Sequence, residues 1–138
     1  MDRSKLKKAR TTQQLIQDLA DRADKLTSGN VSHEIAALRS ITINLNEVMI
    51  TDLIQSCDTE HADLKELLEK VEVNMRAIDN ILAQLNTSNV ENGKKHIYLW
   101  YKFYADALDN RLKKYEEVTD EQAIDKQTID KQATDEQV

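Results

Sequence analysis

The sequence predicts an all-α protein, an elongated coiled coil or helical bundle with one long central helix, two shorter flanking helices and a disordered C-terminal tail. Three observations point there. The 138 residues include no proline and only two glycines, so the commonest helix breaker is missing and loop-rich or all-β designs are disfavoured. Charged residues make up 32% and hydrophobic residues 40% of the chain, enough apolar material to exclude a wholly disordered polymer. Finally, Ile50, Ile54, Cys57, His61, Leu64, Leu68, Val71, Met75, Ile78, Leu82 and Leu85 follow one another at alternating steps of four and three. That spacing keeps a single stripe facing a neighbouring helix.

The first helix is expected over 4–26, where Ile16, Leu19, Ala23 and Leu26 share a stripe flanked by Leu15. It stops at Thr27, Ser28, Gly29 and Asn30, with Gly29 or Asn30 available for the left-handed conformation that ends helices and Asn30 or Ser32 for capping the next start. The second is expected over 32–85, about 80 Å at 1.5 Å per residue. Residues 56–59 are its weakest stretch, but the heptad keeps phase across them, which favours continuity. A break follows at Asn86–Asn89, where Ser88 and Glu91 have capping-box spacing. The third helix is expected over 90–118, with Ile97, Tyr101, Tyr104, Leu108, Tyr115 and Val118 on its stripe and Arg111 at a stripe edge. All the aromatic residues lie between Tyr98 and Tyr115, and Ile97 to Tyr104 is apolar on nearly every side except Lys102. Contacts on more than one face are implied. Residues 1–118 thus form the helical domain. Residues 119–138 repeat an acidic pentad whose period matches no helix, and are expected to be a disordered tail.

With Ile54, His61, Leu68, Met75 and Leu82 at position a, and Ile50, Cys57, Leu64, Val71, Ile78 and Leu85 at d, Leu53, Leu67 and Ile81 fall at g. An a, d and g face belongs to a bundle helix that touches two neighbours. If helices one and three fold onto opposite halves of a continuous second helix, each half gains only one neighbour. Helices from other chains are then required. The expected partner interface is therefore Ile50, Ile54, Leu64, Leu68, Val71, Met75, Ile78, Leu82, Leu85, Trp100, Tyr101 and Tyr104.

Charge is uneven within a net −6. Arg3, Lys5, Lys7, Lys8 and Arg10 make the start basic, while eight acids crowd 116–138 against Lys126 and Lys131. A basic start leaves peripheral membrane association open, each such charge being worth about 1 kcal/mol near anionic lipid; no strong apolar anchor adjoins it. No apolar run approaches the roughly 18 residues of a membrane span. Overall acidity and the absence of aromatics near the basic run disfavour nucleic acid. The start lacks the apolar core of a secretory signal, and a lone cysteine fits a reducing compartment, so the cytoplasm, or the cytoplasmic face of an organelle, is the default expectation.

Sites for chemistry are scarce. Cys57 and His61 lie one turn apart, but two ligands do not make a zinc site, and His33 and His96 are distant in sequence. They read as core layers. Carboxylate pairs such as Glu116 and Glu117 sit on solvent faces, Gly29 and Gly93 are isolated, and Met49 and Met75 read as gap fillers. No catalytic, cofactor-binding or metal-binding residues are expected, and the chain is not expected to be an enzyme.

At Asn46-Glu47-Val48-Met49 and Lys65-Glu66-Leu67-Leu68-Glu69-Lys70, the chain resembles the cappuccino-like, yeast-type subunit of the biogenesis of lysosome-related organelles complex 1. The likeness covers 32–85 and more loosely the helix after it. It implies a non-enzymatic scaffold subunit of an elongated hetero-oligomer of coiled-coil chains, serving vesicle-mediated sorting at endosomes. The same heptads would serve a kinetochore, tether or Mediator-like assembly, and a peripheral membrane-binding helical protein is the alternative of another class.

Overall fold

A computed structural model describes the backbone of residues 2–136 and the side chains of residues 2–117. Its elements are α1 (Arg3–Asp24), α2 (Val31–Asn44), a π-helical turn (Leu45–Ile50), α3 (Thr51–Ser56), a 3-10 turn (Thr59–His61), α4 (Ala62–Leu82) and α5 (Val90–Glu136). The all-helical expectation holds, and no strand occurs among the described residues. The expected disordered tail over 119–138 falls on positions whose side chains lie outside the described residues.

α1 begins at Asp2, whose carboxylate accepts from the Lys5 amide at 2.9 Å, an N-cap that also places negative charge at the positive end of the helix. Its buried face is longer than the sequence stripe. Leu6, Ala9 and Thr12 extend the Ile16, Leu19, Ala23 line back to the first turn. Gln13 joins them, its amide nitrogen donating to the Ala105 carbonyl at 3.3 Å.

The expected single helix over 32–85 is not one helix. α2, the π turn and α3 form one rod, which ends at Ser56. Cys57 (φ −75°, ψ 130°) and Asp58 (φ −87°, ψ 174°) are both extended, and α4 returns antiparallel, with Asn46 reaching Glu72 and Arg39 reaching Asp79. Local chemistry explains the stop. Ser56, Cys57, Asp58 and Thr59 are poor helix formers. Ser56 Oγ donates to the Asp52 carbonyl at 2.8 Å, and with the Cys57 amide turned to Ile54 the Cys57 thiol takes up, at 3.3 Å, the Leu53 carbonyl that a continuing helix would have bonded. Unbroken heptad phase did not mean an unbroken helix, because both halves of a hairpin need an apolar stripe.

The two other connections share one design. At Leu26-Thr27-Ser28-Gly29-Asn30-Val31, Asn30 Oδ1 accepts from the Thr27 amide (2.8 Å) and Nδ2 donates to the Lys25 carbonyl (3.2 Å). At Leu85-Asn86-Thr87-Ser88-Asn89-Val90, Asn89 does the same with the Asn86 amide (2.7 Å) and the Gln84 carbonyl (3.0 Å). Among the described residues no φ is positive, so neither Gly29 nor Asn30 is left-handed. Nor does Ser88 form the expected capping box: its hydroxyl donates to Asn86 Oδ1 at 2.5 Å, while Glu91 pairs with Lys94.

The rods close a ring. α1 packs on α5, α5 on α4, α4 on α2 and the π turn, and these on α1. Paired residues run in opposite directions at each seam: Arg10 with Asp109 and Lys102 with Gln17; Lys5 with Asp52 and Arg22 with Glu34; Asp63 with Arg111, and Ile81 beside Trp100. This is an antiparallel four-helix bundle with short loops. The chain completes within itself the bundle that a continuous second helix would have left to other subunits.

Candidate interaction surface

The residues expected to face partners are spread between the interior and its edge. Ile50, Leu64, Leu68, Val71, Met75, Ile78, Leu82 and Tyr101 are buried in the chain's own core. Ile54, Leu85, Trp100 and Tyr104 are half-buried against it. The reversal at Cys57 supplies the reason: with α4 folded back, the stripe meets rods of its own chain. Leu53, expected at g on the apolar face, is buried as well, and the core also takes Leu38, Leu45, Ala105 and Leu112, which the stripes did not include.

What remains outward lies on the opposite side of α5. Leu99 and Phe103, one turn apart, are 60% and 63% exposed. Half-buried Trp100 continues this apolar surface towards α4, where Ile81, His96, Leu99 and Trp100 line an open groove of about 500 Å³. Phe103 is held edge-on against Tyr104, with ring centroids 5.1 Å apart and planes at 88°. Val48 and Val73 are also strongly exposed, on the second rod and α4. Neighbouring exposed apolar side chains on a rigid helix mark a binding surface more than isolated ones do. The sequence signal for them was the all-round apolarity of Ile97 to Tyr104. The expected interface took its core-facing members and left out Leu99 and Phe103.

The charged start is occupied by internal work. Lys5 lies 3.1 Å and Lys8 3.9 Å from Asp52, and Arg10 bridges Asp109 and Glu116, each at 2.5 Å. The hydrogen bond to Glu116 leads the effects that raise the Arg10 pKa. Burial opposes ionisation of Asp109, but hydrogen bonds from Arg10 and Lys113 outweigh it and hold that carboxyl below its usual range. These pairs tie α1 to its neighbours and reduce the free positive charge left for a lipid surface. Among the described residues no helix is long and apolar enough to cross a membrane.

Cys57 and His61 sit at the hairpin turn. The His61 ring is buried and tilted against Tyr115, with centroids 4.7 Å apart. Tyr115 in turn donates to Asp63, which Arg111 approaches at 2.7 Å. Burial pushes the Cys57 thiol pKa up, the direction that makes a poor nucleophile. Among the described residues no group of three or more potential ligands could hold a metal ion.

In comparisons with known proteins, the chain matches no family model, no curated protein and no solved structure.

Proposed function

We propose that this chain is a non-enzymatic helical scaffold subunit that binds other helical chains through the outward face of α5. The observation that carries this reading is the exposure of Leu99 and Phe103, one turn apart on a helix whose opposite face is locked into the core. Aromatic and large aliphatic side chains on a preformed helix bind with little ordering cost, and residues such as Trp100 are typical energetic anchors. In its more specific form, the proposal places the chain in a hetero-oligomer of coiled-coil subunits serving vesicle-mediated sorting at endosomes. That form rests on the resemblance of residues 32–85 to the cappuccino-like subunit.

The test is affinity purification of the tagged full chain from its native cell, beside a Leu99→Asp/Phe103→Asp variant whose helicity is checked by circular dichroism. The expected result is a set of stoichiometric helical chains that co-purify with the wild type and are lost from the variant. If stoichiometric partners are absent, or bind both proteins equally, the α5 face is not the scaffold's contact. Endosomal membership further requires the recovered chains to cofractionate with endosomes.

A further inference from the structure

We propose that the outward stripe of α5 docks a second copy of this chain, the two α5 helices crossing antiparallel about a two-fold axis level with residue 101. The inference rests on reading this face as an interaction surface, and it names the occupant.

The stripe consists of Asn92, His96, Leu99, Phe103, Asp106 and Asn110, all exposed. Their steps of four, three, four, three and four follow the seam rhythm of paired helices. Read from the centre outward, its chemistry is mirrored. Leu99 answers Phe103, His96 answers Asp106, and Asn92 answers Asn110. An isologous interface has that requirement: if one residue meets another across the axis, the second meets the first.

Antiparallel pairing with Leu99 opposite Phe103 satisfies every member of the stripe. Two apolar contacts form at the centre, and on each side an imidazole N–H faces a carboxylate. Asp106 holds Lys102 through Oδ1 at 3.0 Å, which leaves Oδ2 for the histidine. The in-register parallel pair and the antiparallel pair centred on Leu99 fail on charge or apolarity. A parallel pair would set Asp106 against Asp106. An antiparallel pair with Leu99 opposite Leu99 would set His96 against Lys102 and Phe103 against Lys95. Charge complementarity therefore selects both the occupant and the register. The stripe is short, about 27 Å at 1.5 Å per residue, so the expected dimer is reversible.

Sedimentation velocity on the full chain, from low to high micromolar concentration, tests this. The wild type should shift towards a dimer as concentration rises, and Leu99→Asp/Phe103→Asp, with unchanged helicity, should stay monomeric. His96→Asp should weaken the dimer by about tenfold or more, since like charges then meet across the axis. His96→Asp/Asp106→His should regain most of that loss. Register is read by disulfide formation in a Cys57→Ser background. A mixture of Leu99→Cys and Phe103→Cys chains should cross-link faster than either chain alone.

A wild type that stays monomeric throughout would overturn the proposal. So would a dimer indifferent to the aspartates, or a charge swap no better than the single change. The two readings fail separately. If the wild type is monomeric but partners in native extracts are lost on Leu99→Asp/Phe103→Asp, self-pairing is wrong and the interaction surface stands. If neither depends on these residues, both are wrong.

Discussion

Thr42 and Tyr101 meet in the core with their oxygens 2.6 Å apart. Thr42 already donates its only hydroxyl hydrogen to the Leu38 carbonyl at 2.7 Å, so Tyr101 is the donor between them. Burial is the leading cause raising the Tyr101 pKa, so it keeps its proton for that role. The two ends of this bond are therefore unequal. Tyr101→Phe removes a donor while Thr42 keeps its own bond, and should cost about 0.5–1.5 kcal/mol. Thr42→Val strands the buried phenol hydroxyl and should cost about 1–3 kcal/mol. Urea unfolding of the two variants checks the order. Equal losses, or a larger loss for Tyr101→Phe, would contradict this account. The periodic stripe marked Tyr101 as an inward residue. Thr42 carried no such mark, because a single threonine in a helix looks alike in sequence whether it faces water or a phenol.

Among the elements, the loops show how short-range chemistry escaped a reading based on periodicity. Leu-x-x-x-Asn-Val occurs at 26–31 and again at 85–90, and both copies fold to the same asparagine-braced turn. The repeat is legible in the residues, whereas Gly29 and the Ser88–Glu91 spacing point to other atoms. Asn89→Ala should lower stability by about 1 kcal/mol through two lost hydrogen bonds, whereas Ser88→Ala should stay within about 0.5 kcal/mol. Thermal melts of the pair distinguish the braced turn from a serine cap. A Cβ at Gly93 would collide only with Cδ2 of Leu85, the movable end of a half-buried side chain. The π turn at Leu45–Ile50 inserts a wide turn into the second rod. It brings Asn46 inward, and Asn46 Nδ2 donates to the Glu72 carbonyl of α4 at 3.2 Å. A periodicity that assumes uniform turns has no means of registering such an insertion.

For the whole molecule, the ring of rods is fastened at its seams by charge, and this sets its response to pH. The hydrogen bond from Tyr115 is the first of several effects lowering the Asp63 pKa, and Asp109 is lowered too. Their contribution is present above the ordinary carboxylate range near about 4 and is lost as pH falls through the folded values. Tyr115 moves the other way. Burial first, then its bond to Asp63, push its pKa up to about 12. A tyrosine that holds its proton more tightly when folded stabilises fully below about 10, and that contribution disappears as pH rises through the raised value. Urea midpoints should therefore show a plateau near neutrality with declines at both ends. Tyr115→Phe should shallow the alkaline decline, leaving the parts due to Cys57 and Tyr101, and a decline as steep as wild type would refute the assignment. By itself the sequence determined the helical class, the stripes on α1, α4 and α5, and the breaks at 27–30 and 86–89, since these follow from local propensity and spacing. Only the tertiary structure decided that the central stripe turns back at Cys57 and closes on its own chain, which leaves Leu99 and Phe103 outside. The physical reason is that an apolar stripe states a need for burial without naming what buries it; that depends on where the chain reverses and which rods lie within reach.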